Sequence, residues 1–238
     1  MWGRRLLLTQ KREPTLVVAQ RVYGQAMLNS SRVHLERFVQ IAAASIGDDA
    51  LVLDAGAGNA LYREHFAHTR YETADFKQVN KDYASDITYV CDLAAIPTED
   101  DRFDLVLLSQ VLEHLPEPVE VLSEMRRVLK PGQQIWASTP LFYEEHEVPY
   151  DFYRYTQFGL QHIFERAGFT DIRVEWLEGY LGTVSYQLSV AAQALRGLRW
   201  LPVRRALRAV GWLAARSDMR RARTDIGHPK NYTIVATA

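Results

Sequence analysis

The 238-residue chain has a single cysteine, Cys91, so it can form neither an internal disulfide nor a cysteine-based zinc site, and the count suits a reducing cytoplasm. It has no excess of either charge: 28 Lys and Arg against 29 Asp and Glu leave a formal net charge of -1, which argues against a wholesale nucleic-acid binder. Long hydrophobic runs are missing too. The longest uncharged stretch, residues 179–195, is broken by Thr183, Ser185, Gln187, Ser189 and Gln193, whereas a spanning helix needs about 20 predominantly apolar residues. Arg4 and Arg5 precede only three leucines, short of the roughly seven or more of a signal-peptide core. There is no repeat and no low-complexity tract. A 47% hydrophobic composition can bury a proper core, and the length fits one domain over residues 1–238.

What charge there is lies unevenly. From Arg196 to Arg223 nine arginines face one acid, Asp218, so an acidic body carries one strongly basic segment.

Hydrophobic patterning predicts a helix over 28–44, stopped near Gly47, within an N-terminal helical segment (1–47). A core over 48–177 follows. Its strands are read at 51–54, 71–75, 87–91, 103–108, 134–139 and 172–176, with helices at 61–67, 119–129 (stopped by Pro131-Gly132) and 158–167 (capped by Thr156). A last strand is read at 232–236, within the closing segment 230–238. Such alternation requires parallel pairing through right-handed crossovers, hence a doubly wound α/β sheet. Ligands in such sheets bind beyond the carboxyl ends of the strands.

The strand ends are chemically distinctive. Strand one runs into Asp54-Ala-Gly56-Ala-Gly58-Asn59, where glycines let the backbone turn tightly and approach a ligand. A third glycine, expected of a dinucleotide fingerprint, is missing. Asp75 and Asp92 end the next two strands. Three acids at successive strand ends suit a ligand with hydroxyls, an amine and a positive charge, and would repel a phosphate.

As a set, Val52-Leu-Asp-Ala-Gly-Ala-Gly58, Asp75, Cys91-Asp-Leu-Ala-Ala-Ile-Pro97 and Phe103-Asp-Leu-Val-Leu-Leu-Ser-Gln-Val-Leu-Glu-His-Leu115 resemble the class I S-adenosylmethionine-dependent methyltransferases. Val128-Leu-Lys-Pro-Gly132 resembles the type-11 subgroup. The resemblance implies a Rossmann-like, mostly parallel seven-stranded sheet with an antiparallel last strand, and S-adenosylmethionine as cofactor with S-adenosylhomocysteine as product. It puts Asp54, Gly56 and Gly58 around the methionine part, Asp75 on the ribose hydroxyls, Asp92 and Leu93 at the adenine, and Gln110 beside the methyl-transfer channel. The family's third glycine is Asn59 here. The Asn/Asp-Pro-Pro-aromatic motif expected of nucleic-acid amino methyltransferases is replaced by Ser109-Gln-Val-Leu112.

Strand five leads into Pro140-Leu-Phe-Tyr-Glu-Glu-His146-Glu-Val-Pro-Tyr-Asp151-Phe-Tyr153-Arg154-Tyr155-Thr156. This loop resembles a segment of methyltransferases encoded among bacterial polysaccharide and cell-envelope genes. A hydroxyl acceptor must lose a proton, and histidine titrates in the right range to take it. His146 is the first candidate base, with Asp151 as orienter or alternative base and His114 as second candidate. Tyr143, Tyr150 and Tyr153 could form a stacking wall for a sugar or lipid ring. Arg154 either contacts substrate or pairs with Asp151 to brace the loop. No metal is expected.

The segment 178–229 is a helical, arginine-rich insertion before the last strand, with helices read at 182–199 and 203–216. Val203, Leu207, Val210 and Leu213 share a stripe, near Trp200 and Trp212. Two readings stand: a helical lid whose stripe packs on the sheet domain, or an in-plane contact with a membrane. The function expected is a cytoplasmic methyltransferase, able to reach the inner membrane face, acting on a hydroxyl of a small molecule or glycan. An N- or carboxyl-methyltransferase and a non-catalytic cofactor-binding partner are the alternatives.

Overall fold

The computed structural model describes residues 29–77, 83–84, 86–220, 224 and 226–238. The N-terminal segment before residue 29, and Arg221 and Arg223 of the basic stretch, lie outside the described residues.

Seven strands form one sheet: β1 (Leu51–Ala55), β2 (Arg70–Asp75), β3 (Tyr89–Val90), β4 (Phe103–Ser109), β5 (Leu129–Pro140), β6 (Thr170–Trp176) and β7 (Asn231–Thr237). Their order is β3-β2-β1-β4-β5-β7-β6. Strands β1 to β5 pair in parallel, and β7 is inserted antiparallel between β5 and β6. The expected doubly wound, mostly parallel sheet with its antiparallel last strand is present.

Burial on both faces explains why β1 and β4 read as continuous apolar runs. Leu51, Leu53 and Ala55 point to one face and Val52 to the other, as the two-residue strand period requires. On the first face Val121, Leu122 and Met125 of α2 (Pro118–Val128) and Leu160 and Phe164 of α3 (Gln157–Arg166) complete the core. On the second, Val39, Ala42 and Ala43 of α1 (Ser30–Ala44) pack with Phe66 and Trp136. The Thr156 side chain caps α3, accepting from the Gly159 amide at 3.2 Å.

Three local expectations are corrected. The helix read at 61–67 is only a 3₁₀ turn, Arg63–Phe66. Ala60 takes a left-handed φ of 54°, and seven residues are too few to sustain a helix alone, so Phe66 drops into the core while Leu61 stays exposed. Residues 129–133, read as the end of a helix and its stop, begin β5 instead. Leu129 turns extended opposite Phe103, and the Gly132 amide donates to the Ala238 carbonyl, so pairing with β4 and the C-terminus overrides the helical pattern.

The third correction concerns the insertion. It is a hairpin of α4 (Tyr180–Ala194) and α5 (Leu201–Arg220). The stripe expected to pack on the sheet faces outward: Val203, Val210 and Leu213 are 42%, 54% and 59% exposed. The inward face of α5 is Gly211, Ala215 and Asp218. A Cβ on Gly211 would already stand 3.4 Å from the Ser185 carbonyl oxygen, so the helices approach too closely for large side chains. Asp218 ties the hairpin to the body, accepting from the Gly179 amide at 2.9 Å and meeting His34 Nε2 at 3.1 Å. Among the described residues, no helix is long and apolar enough to cross a membrane.

Candidate active site

The carboxyl ends of β1 and β4 border a cavity of about 330 Å³. Asp54, Gly56 and Gly58 line it from the β1 side, Ser109 and Gln110 from the β4 side. Arg32 and Tyr62, which sequence reasoning missed, close it from α1 and the turn after β1. A larger hollow of about 440 Å³ lies among Gln134, Asp171, Arg173 and Thr237, at the opposite end of the sheet, where strand topology offers no ligand crevice.

The glycines are required by geometry. Gly56 has φ +75°, and a Cβ there would stand 2.4 Å from Val111 Cγ2. Gly58 is left-handed at φ +56°, and its amide donates to Asp75 Oδ2 at 2.8 Å. Asp75 Oδ1 accepts from the Lys77 amide at 2.9 Å. Asp75 is thus buried and clamps the glycine loop onto β2, with lone pairs left for hydroxyls. Asp54 is buried beside it and accepts from the Tyr71 hydroxyl. Burial pushes its carboxyl up to about 6, against the lowering effect of Tyr71. No cation is bonded to it among the described residues. An anion held this way fits a ligand that brings its own positive charge.

Asp92 is exposed and folds its carboxylate onto the Ala94 amide at 2.9 Å. The Leu93 side chain belongs to the hydrophobic core, so at that position only backbone faces outward contacts. Gln110 adopts φ 58°, which turns the chain at the end of β4; its Nε2 donates to Ser138 Oγ at 3.2 Å.

Beyond Gln110 the same turn delivers Glu113 and His114 to the loop after β5. The His114 and His146 rings meet edge to face, 4.6 Å between centroids. His114 Nδ1 contacts the Tyr150 carbonyl oxygen at 2.5 Å, and burial lowers the pKa of its ring. His146 is positioned by Asp151, whose Oδ2 accepts from the His146 amide at 2.8 Å and lies 3.4 Å from its Nδ1. Asp151 is held to about 2, mainly by its bonds from Arg154 at 2.7 and 2.8 Å. All five guanidinium donors of Arg154 are engaged, on Asp151 and on the carbonyls of Tyr143, Glu144 and Tyr153. Arg154 braces the loop and has no donor left for a substrate.

The three tyrosines do not form one wall. Tyr143 stacks on Tyr186 at 5.4 Å, and Lys230 Nζ lies 4.6 and 4.3 Å from those two ring centroids. Burial brings the Lys230 ammonium down to about 8. Tyr150 meets Phe76 edge-on, and Tyr153 donates to the Pro116 carbonyl at 3.1 Å. Glu113 was also missed as a site residue. It is fully buried and pushed up to about 8 by that burial, and its only sequence signal is an acid in the short turn after an apolar strand, beyond Gln110, Val111 and Leu112.

Residues 53–137 match a family model of the type-11 group described as a methyltransferase domain. Over 124 residues the chain is 31% identical to a ubiquinone biosynthesis O-methyltransferase of Coxiella burnetii, covering 48% of this chain and 50% of that protein. The chain therefore spans about half the length of this curated relative. A methyltransferase structure from Archaeoglobus fulgidus, described as S-adenosylmethionine-dependent, superposes with TM-score 0.55 at 16% identity, over 95% of this chain and 100% of that one. The [4+2]-cyclase SpnF superposes equally well, with TM-score 0.55 at 19% identity over 85% and 80%. Both share the fold, and fold alone does not fix the chemistry.

Proposed function

We propose that this chain, whose core at residues 53–137 is a class I S-adenosylmethionine-dependent methyltransferase domain, transfers a methyl group to a hydroxyl of a small-molecule acceptor, free or part of a saccharide. The observation that carries the reading is one short turn: Gln110 lines the cavity that suits the cofactor, and His114, four residues on, meets His146 in the adjoining loop. The similarity to an O-methyltransferase supports a hydroxyl as the accepting group.

S-adenosylmethionine supplies, when bound, an electrophilic methyl on a positively charged sulfur. The protein's own residues do the rest. Asp54 offers a buried negative charge to the cationic end, the glycine loop lets backbone approach, and Asp75 offers acceptor lone pairs to ribose hydroxyls. Asp92 stands at the adenine end. Gln110 borders the route between the two halves of the site. His146, oriented by Asp151, is the group placed to receive the acceptor's proton, with His114 beside it. Positioning a nucleophile against a bound electrophile can contribute several kcal/mol by itself, and a well-placed base about 10²–10⁴ in rate.

The 3₁₀ turn Leu198–Trp200, where Arg199 lies over Trp200, and the outward face of α5, where Arg216 lies over Trp212, support an additional peripheral contact with anionic lipid, which vesicle co-sedimentation checks.

Calorimetric titration with S-adenosylmethionine and S-adenosylhomocysteine tests the cofactor, with Asp75→Ala as control. Micromolar binding lost in the control is expected. Transfer of labelled methyl to a panel of catechol, hydroquinone and hexose acceptors then tests the reaction. Cofactor binding with no labelled product from any hydroxyl acceptor would overturn O-methyl transfer in favour of another chemistry on this fold.

A further inference from the structure

Between the cofactor cavity and the aromatic loop lies a cluster of donors that a base alone does not explain. Glu113 is 0% exposed; its Oε2 accepts from Thr139 Oγ1 at 3.1 Å, while Oε1 has no hydrogen-bond partner. Burying a carboxyl oxygen without a partner is costly in either protonation state, and native structures rarely leave one so. His114 brings Nε2 to 3.9 Å from that oxygen. The contact of His114 Nδ1 with the Tyr150 carbonyl puts the ring proton on Nδ1 and leaves Nε2 its lone pair. His146 has the same arrangement: its Nδ1 lies 3.2 Å from the Glu144 carbonyl and 3.4 Å from Asp151 Oδ2. A carboxylate or carbonyl on the far ring nitrogen is how ligating histidines are oriented. One ligand atom from each of Glu113, His114 and His146 falls within 4.8 Å of the others.

We infer that Glu113, His114 and His146 form a binding site for a divalent transition-metal cation. Two imidazoles and a carboxylate suit zinc, cobalt, manganese or iron in preference to magnesium, which favours oxygen and water. Ligands at about 2.0–2.2 Å around a tetrahedral ion stand roughly 3.4 Å apart, so a small closure of these side chains seats the ion. Three protein ligands would leave a tetrahedral ion one coordination position for a water or an acceptor oxygen. An oxygen-bearing acceptor, above all one with adjacent hydroxyls, would find there a centre that lowers its hydroxyl pKa. That use of the ion rests on the reading of the site as the acceptor's seat and replaces the base role given there to His146, whose ring the ion would occupy, whereas the binding of the ion does not rest on it. The pairing of Asp151 with Arg154 then acquires a further purpose, because it fixes the backbone and ring of a ligating histidine.

The test uses the full chain without a histidine tag. Titration with cobalt(II), followed by its visible ligand-field bands, and calorimetry with zinc and magnesium read the ion directly. One equivalent of cobalt or zinc is expected, bound more tightly than magnesium. His146→Ala, at a side chain 30% exposed, should weaken cobalt binding at least tenfold; Glu113→Gln should weaken it further. His68→Ala, on the turn before β2, should leave it unchanged. Retained S-adenosylhomocysteine binding in the His146→Ala protein shows that the fold and cofactor site persist. Absence of cobalt and zinc binding, or binding that His146→Ala leaves intact, overturns the site. Loss of cofactor binding in the unaltered protein would instead sink the methyltransferase reading and leave the ion measurement standing.

Discussion

Asp54 carries a consequence for both stability and cofactor affinity that can be worked out in advance. Its carboxyl titrates near 6 in the folded, ligand-free protein against an ordinary 3.8, chiefly because burial disfavours the charge. A folded pKa raised above the unfolded one means that the stability contribution of the protonated group is complete below 3.8 and lost as pH rises through 6. Asp54→Asn mimics the neutral form at every pH. The variant should therefore gain on the parent protein by about 2 kcal/mol between pH 4 and pH 7, because a tenfold change in proton affinity is worth about 1.36 kcal/mol. Urea denaturation of both proteins across that range reads the difference, in which other carboxylates cancel. Cofactor affinity should move the opposite way. If the cationic ligand binds the ionised carboxylate, its apparent affinity at pH 5 is about tenfold weaker than at pH 7, because only about a tenth of Asp54 is then ionised. Asp54→Asn should bind weakly with no such slope. A parent protein whose affinity is flat from pH 5 to 7, or a slope that survives in Asp54→Asn, refutes the assignment of Asp54 to the cationic end.

Gly56→Ala should cost about 2–4 kcal/mol, from the left-handed φ and the clash with Val111, and abolish cofactor binding; thermal unfolding within about a degree of the parent would contradict this. Arg154→Ala frees the Asp151 carboxylate and three carbonyls, so stability should fall by about 2 kcal/mol and the aromatic loop should become protease-sensitive, measured by denaturation and limited proteolysis. In the insertion, Leu213→Ser should change stability by less than about 0.5 kcal/mol, whereas Gly211→Leu should cost more than about 2 kcal/mol by forcing α4 and α5 apart. Equal effects at the two positions would show that the hairpin packs through its large apolar face.

Much of the sheet was legible because its signals are local. Leu51–Ala55 and Phe103–Ser109 are apolar runs bounded by turn residues, and a strand buried on both faces has little freedom to be anything else. The glycines of the first loop and Gln110 could be picked out because their place follows from strand order, and all of them line one cavity. The turn at residues 63–66 was not legible, since seven residues with one core anchor carry no periodic preference strong enough to decide helix against turn. The start of β5 at Leu129 was hidden for a related reason: a helical spacing continued through it, and only the partner strands could override it.

By itself the sequence determined the alternation of strands and helices, the parallel sheet that follows from it, and the acids and glycines at the strand ends, because periodicity and turn chemistry act over a few residues. Tertiary structure decided which face of the basic helix is hidden, since that depends on how close a neighbouring helix can come, and Gly211 and Ala215 admit α4 where Val210 and Leu213 do not. It also decided that Arg154 is used up inside the loop. And it alone brought Glu113 and His114 against His146, more than 30 residues along the chain, because the turn after β4 and the loop after β5 leave neighbouring strands on the same edge of the sheet.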